Sequence, residues 1–390
     1  MPRPPVYLDH AATTPVDPRV LEAMLPHFSR TYGNPSSVHT LGQQAEAAVE
    51  SARAGVATIL GCSPSELVFT GCGSESDNLA LRGVAFAERE RRAADRILIS
   101  PVEHAAVLQT ARQLQQHFGF RLDWLPVDPY GRVSPDDLRE KLSPSTAVVS
   151  IVYANNEIGT VNPIAALAAE CHAIGVPFHT DAVQAASQLP VDVGTLRVDL
   201  LALGAHKFYG PKGVGALYVK NGLALLPWLT GGSQEHRLRA GTHNVPLIVG
   251  LAEALQLTSR ERAQRNAHMA ALRDRIIRGV LDRVSDSELT GHPTERLPNH
   301  ASFVFRGVDG NALLAALDLE GFACSSGSAC KSGAPEPSEI LLAIGVPAPL
   351  ALGSLRVTVG KDTRSEDVHR FLDLLPQVIA RIRRTASAPS

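Results

Sequence analysis

In this 390-residue chain the residue types most able to do chemistry lie in Ala205-His206-Lys207-Phe208-Tyr209-Gly210-Pro211-Lys212-Gly213. The segment follows the apolar run Asp199-Leu200-Leu201-Ala202-Leu203, which reads as a buried strand, and it closes in a Gly/Pro turn. A lysine at the end of a buried strand is partly desolvated. Desolvation disfavours the ammonium, lowers its pKa and leaves a neutral amine able to form a Schiff base with an aldehyde. Most strand-end lysines are solvated charges, so Lys207 needs company to mean anything. A carboxylate supplies it: Asp181 ends another strand-like stretch, Val176-Pro177-Phe178-His179-Thr180-Asp181-Ala182-Val183-Gln184.

The aldehyde that proteins most often hold with a lysine is pyridoxal phosphate (PLP), whose ring nitrogen needs an acidic partner. Its phosphate needs an anion site. Gly71-Cys72-Gly73-Ser74-Glu75-Ser76 stands between a strand and a helix, where backbone N–H groups, the Ser74 hydroxyl and the helix dipole favour an anion. The same pattern also serves as an ordinary helix cap. His104 follows another strand; it would stack on an aromatic cofactor, shuttle a proton, or simply cap a helix. Asn155-Asn156-Glu157-Ile158-Gly159 follows a strand too, and reads either as a ligand contact or as a turn.

Two further residues bear on substrate chemistry. Cys330 sits in Cys324-Ser325-Ser326-Gly327-Ser328-Ala329-Cys330-Lys331-Ser332-Gly333, a small-residue loop in which a thiol beside a lysine favours reactivity over burial. Cys324, preceded by Gly321-Phe322-Ala323, reads as anchored. Arg356 lies on an otherwise apolar strand, where a buried guanidinium needs an anion such as a carboxylate.

These residues need a scaffold that gathers strand ends. Strand signals at 66–70, 96–100, 121–127, 146–153, 176–181, 200–203 and 214–220 are interleaved with helical periodicity at 74–91, 104–117 and 164–174 and with a helix opening at Ser134-Pro135-Asp136-Asp137. Such alternation predicts an α/β fold with a mainly parallel sheet covered by helices, and ligands at the carboxyl ends of its strands. A long helical pattern over 245–284 leads to mixed strands and helices, a smaller α+β domain. The expected division is 15–255 for the large domain, with 1–14 and 256–390 forming the small one and carrying the cysteine loop near 324–335.

Composition narrows the class. Charge is balanced, 37 Lys+Arg against 39 Asp+Glu, so neither nucleic acid nor an anionic membrane is an expected partner. No eighteen-residue apolar run reads as a membrane span, and Met1-Pro2-Arg3-Pro4-Pro5 leads into no secretory leader. Five cysteines without CxxC spacing suit a reducing cytoplasm and predict no metal site.

Leu8-Asp9-His10-Ala11-Ala12-Thr13-Thr14, Gly33-Asn34-Pro35-Ser36-Ser37, the Asp181/Gln184 segment, His206-Lys207 and Ser326-Gly327-Ser328-Ala329-Cys330 together resemble the cysteine desulfurases, NifS/IscS-like branch. These are fold-type I PLP enzymes, and the resemblance spans about residues 6–375. It implies Lys207 as the Schiff-base lysine, Asp181 at the ring nitrogen, His104 over the ring, and Gln184 and Asn155 at the ring hydroxyl. Gly73, Ser74 and His206 would hold the phosphate, with Thr242 reaching in from a second copy of a homodimer. Arg356, with Asn155, would bind the substrate, L-cysteine; Cys330 would accept its sulfur and pass it to an acceptor such as an iron–sulfur scaffold. Gly204 and His10 depart from the family pattern, which usually has serine and often asparagine there, and the short tail implies no scaffold docking by the family's longer one. Selenocysteine lyase, a PLP aminotransferase of the same fold and an inactive scaffold protein are the competing readings.

Overall fold

The computed structural model describes residues 5–327 and 336–386. After the short strand β1 (Val6–Tyr7) come seven strands: β2 (Leu67–Thr70), β3 (Arg96–Ile99), β4 (Arg121–Trp124), β5 (Thr146–Ser150), β6 (Phe178–Asp181), β7 (Leu200–Gly204) and β8 (Gly215–Val219). They form one sheet in the order β2-β8-β7-β6-β5-β3-β4. Neighbours from β7 through β4 pair in parallel, and β8 runs antiparallel to both β7 and β2. Strands β5, β7 and β8 are buried along their whole length, which is why they read as continuous apolar runs rather than as alternation.

A second, three-stranded sheet contains β9 (Ser287–Leu289), β10 (His300–Phe305) and, after β11 (Phe322–Ala323), the strand β12 (Ser354–Thr358), in the order β12-β10-β9. β1 pairs in parallel with β11, so the start of the chain is stitched to its last third. The helix Val245–Arg283 links the two sheets; at 39 residues it is about 58 Å long. Its first half packs Ile248, Leu251 and Leu255 into the core beneath the large sheet. Its second half sends Met269, Leu272, Ile276 and Val280 into a separate core with Phe303, Phe305, Phe322 and Phe371. A single helix thus contributes to both cores.

Several boundaries differ from the sequence expectation for local reasons. Pro18–Met24 and Pro26–Ser29 are separate helices, because Pro26 has no N–H to continue the ladder. His104 is not inside a helix but caps Ala105–Phe118, its ring nitrogen accepting from the Ala106 N–H. No helix among the described residues is long and apolar enough to cross a membrane.

The fold makes one energetic prediction. Phe371 of the helix Ser365–Ala386 is fully buried and meets Phe322 edge-to-face, 5.7 Å between centroids. Phe371→Ala should lower unfolding free energy by about 3–5 kcal/mol in a denaturant titration. A loss below about 1 kcal/mol, the scale of an ordinary surface substitution, would show that the second core tolerates the cavity.

Candidate active site

The carboxyl ends of β2, β5, β6 and β7, with the loop after β3, surround a cavity of about 190 Å³. Its walls include Gly73, Ser74, His104, Asp181, Gln184, His206 and Lys207, contributed by four separate stretches of chain. Lys207 lies in the single 3₁₀ turn that follows β7. Its Nζ donates to the carbonyls of Ala11 and Ala12, each at 2.7 Å. Burial and the nearby Arg356 guanidinium depress its pKa to about 8, with Asp181 and Asp9 pulling the other way. A useful fraction of neutral amine is therefore present near neutrality.

Asp181 ends β6, buried, with one carboxylate oxygen accepting from the Val183 N–H at 2.8 Å. Burial raises its pKa, while His104 and Lys207 favour its ionised form. Gln184 Nε2 donates to Ala11 O at 2.6 Å. His206 pairs through its ring with the Thr13 hydroxyl and through its carbonyl with Thr14. Burial and the lysines at 207 and 212 push its imidazole down to about 4, so it is neutral at pH 7.

The helix Gly73–Arg92 opens on this cavity, with Cys72 as its cap residue in extended geometry. At Gly73 a Cβ would fall 2.6 Å from Val183 Cγ2, so only glycine lets the backbone come this close. Gly204 is part of the same packing: a Cβ there would sit 3.2 Å from Val183 Cγ1 and 3.5 Å from the Gly73 nitrogen. Val183 thus fills the space that a serine at 204 would have to share.

Other candidates are placed differently. Asn155 does not line the cavity. Its side chain donates to Val102 O and accepts from the Glu157 and Ile158 N–H groups, fixing the turn; Asn156 is the asparagine at the cavity wall. Arg356 is buried and already paired, to Asp9 at 2.8 Å and to Asn156 O at 3.0 Å. A carboxylate bound there would compete with Asp9. Thr242 is exposed and does not line the cavity of its own chain. The segment before it is held by Arg239–Glu75 (2.7 Å) and by buried Glu235, which accepts from Arg53, His243 and the Phe69 N–H. Cys330 lies outside the described residues. Cys324 packs against the second core, where burial pushes its thiol pKa up.

Several contributors are not legible as chemistry in the sequence. Ala11, Ala12, Thr13 and Thr14 act mainly through backbone carbonyls and hydroxyls, which no side-chain motif announces. Asp77 stands one turn into an amphipathic helix and reads as a solvent-facing acid, yet it reaches the cavity wall.

This donor set fits PLP. It offers a depressed lysine, a buried carboxylate beside it, and a helix opening whose glycine leaves its N–H groups uncovered. That combination defines a lysine-anchored PLP fold. A class-V aminotransferase model matches residues 6–371. The chain is 45% identical to "Cysteine desulfurase IscS" of Methanosarcina thermophila over 97% of its length and 93% of that protein. It is 44% identical to "IscS-like cysteine desulfurase" of Mycobacterium tuberculosis over 98% of each. Among solved structures a "NIFS-like protein" superposes with TM-score 0.90 at 36% identity, covering 97% of this chain and all of that one. "SspA in complex with cysteine" superposes with TM-score 0.80 at 34% identity, covering 91% and 99%. The chain belongs to the class-V aminotransferases and, within them, to the cysteine desulfurases.

The Lys207 environment predicts a titration. In cofactor-free protein, below pH 8 the amine is mostly protonated and inert, and above it mostly neutral, so its modification by an aldehyde should rise through a midpoint near pH 8. Peptide mapping reads the rate at Lys207 itself. A midpoint near the free-lysine value of about 10.4 would contradict the burial argument.

Proposed function

We propose that this protein is an L-cysteine desulfurase that uses PLP to convert L-cysteine to L-alanine and delivers the sulfur as a persulfide on Cys330. The observation that carries the reading is the meeting of Lys207 and Asp181 on one cavity with the opening of the Gly73–Arg92 helix. Lys207 would anchor the cofactor, Asp181 would partner its ring nitrogen, and Gly73, Ser74 and His206 would hold its phosphate. Gln184 and Asn156 are placed for polar contacts with the ring substituents or the substrate, and His104 is placed to cover the ring. When bound, PLP supplies an electron sink for the carbanion formed at the substrate Cα.

The chain's own groups do the rest. Lys207, its pKa depressed to about 8, would take the Cα proton in its neutral form. Arg356 exchanges Asp9 for the substrate carboxylate, a swap between two anions that leaves its buried charge paired throughout. The Cys330 thiolate forms an S–S bond to the substrate sulfur as the Cβ–S bond breaks. The electron pair stays on carbon, which takes a proton and leaves as alanine. One cysteine and one thiol give one alanine and one persulfide, so no external oxidant is required.

The second copy of a homodimer would bring its Thr242 to this phosphate, which is supported by that residue's exposure and distance from its own cavity. The acceptor is a sulfur-carrying protein, such as an iron–sulfur scaffold, in a reducing cytoplasm. The decisive test is Cys330→Ser. It should still bind PLP and cysteine yet form no persulfide, as read by mass spectrometry after cysteine is added without reductant. Persulfide on Cys324 instead, or undiminished alanine production by Cys330→Ser, would overturn the assignment, the latter in favour of a lyase needing no protein thiol.

A further inference from the structure

At the cavity wall three carboxylates are buried close together: Asp77 on the Gly73–Arg92 helix and Asp181 on β6, which line the cavity, and Glu103 before the next helix, each 4% exposed or less. Asp77 Oδ1 lies 3.6 Å from Nε2 of His179, and neither atom has a hydrogen-bond partner among the described residues. The other side of that imidazole is closed by the Ser150 hydroxyl at 2.8 Å. Glu103 Oε1 accepts from the Val152 N–H at 2.9 Å and from the Ser100 hydroxyl, while its Oε2 has no partner. Asp77, His104 and Asp181 each bring one polar atom within 4.8 Å of the others.

The groups facing Asp77 are Cys72 from its own helix cap, Asp181 and His179 from β6, Glu103 from the segment after β3, and His104. Not one of them is a fixed cation. His179 is held neutral, its pKa pushed down to about 3 by burial. Two anions about 4 Å apart repel by about 4 kcal/mol even at an effective dielectric near 20, so three ionised carboxylates cannot share this volume. Asp181 has Lys207, His104 and a backbone N–H to favour its charge. Burial, Asp181, Glu103 and Cys72 all disfavour the charge of Asp77, and burial holds Glu103 at about 8.

We propose that Asp77 is a positioning residue held as a neutral carboxylic acid behind Asp181, so that Asp181 is the ionised carboxylate presented to the ring nitrogen. A proton on Asp77 would face the bare Nε2 of His179 and partner two otherwise unmatched buried atoms at once. His179 and Ser150 continue the chain inward. Asp77 therefore acts on the cofactor through Asp181 and contributes no charge of its own. The proposal rests on the reading of Asp181 given above.

The test compares Asp77→Asn, which keeps shape and neutrality, with Asp77→Ala, and reads protonation directly. Infrared difference spectra of the purified wild type against Asp77→Asn at neutral pH should show loss of a protonated carboxylic acid C=O band. Asp77→Asn should keep the wild-type pH dependence of cofactor absorbance and stay within about threefold in kcat/KM, under half a pKa unit in free-energy terms. Asp77→Ala should shift that pH dependence. Absence of the band, or a tenfold loss in Asp77→Asn equal to that in Asp77→Ala, would overturn the proposal. If Asp77→Asn does not fold, ¹³C-carboxyl NMR of aspartate-labelled wild type decides: at least one aspartate must stay protonated at neutral pH, and ordinary titration of all of them contradicts it. Asp181→Asn separates the two readings. If it leaves absorbance and turnover intact, Asp181 is not the ring partner and the reading beneath the proposal fails; if it cripples both while Asp77→Asn does too, only the role of Asp77 fails.

Discussion

The site depends on taking one lysine ammonium out of water without giving it a salt bridge. Lys207 finds two backbone carbonyls instead of a carboxylate, and burial with the nearby Arg356 brings its pKa down to about 8. Everything around it serves that compromise. A closer or better-aligned carboxylate would return the amine to its ordinary basicity, whereas full burial without Ala11 and Ala12 would leave its N–H groups unmatched. The start of the chain is held for this duty: β1 is zipped to β11, the Ala11 N–H donates to the Thr358 hydroxyl, and Thr14 binds both His206 and Tyr209. The second sheet thus reaches the cavity through ten residues of N-terminal backbone.

The same segment links cofactor chemistry to substrate binding. Asp9 pairs with Arg356 on β12, and Arg356 in turn lowers the pKa of Lys207. Arg356 therefore ties the pairing of Asp9 to the basicity of Lys207. Near Arg356, Glu157 accepts from Ser338 at 2.6 Å, and a Cβ on Gly327 would lie 2.4 Å from the same oxygen. Gly327 and Ser338, described residues on either side of the Cys330 segment, therefore both meet Glu157.

Much of this was readable from residues alone. The alternation of strands and helices, the lysine and acid at strand ends and the Gly-Ser helix opening all follow from periodicity and turn chemistry, because fully buried parallel strands leave little freedom in pattern. What was not readable depends on three-dimensional register. Asn155 and Asn156 are indistinguishable by type; only the turn decides that the first caps backbone and the second meets the cavity. Asp77 looks like any acid on a helix, since nothing local reveals that its face is pressed on β6. The substitution of Gly204 for the expected serine gains a physical account only with Val183 in view, as the two side chains contend for one space.

The central claim is that Lys207 holds the cofactor covalently beside Asp181. The most direct measurement is borohydride reduction of the PLP-loaded protein, followed by proteolysis and mass spectrometry of the pyridoxyl-peptides. The account predicts a single modification on Lys207, absent from Lys207→Ala. Modification on Lys212 or another lysine, or no retained pyridoxyl group in protein that takes up PLP, would contradict it.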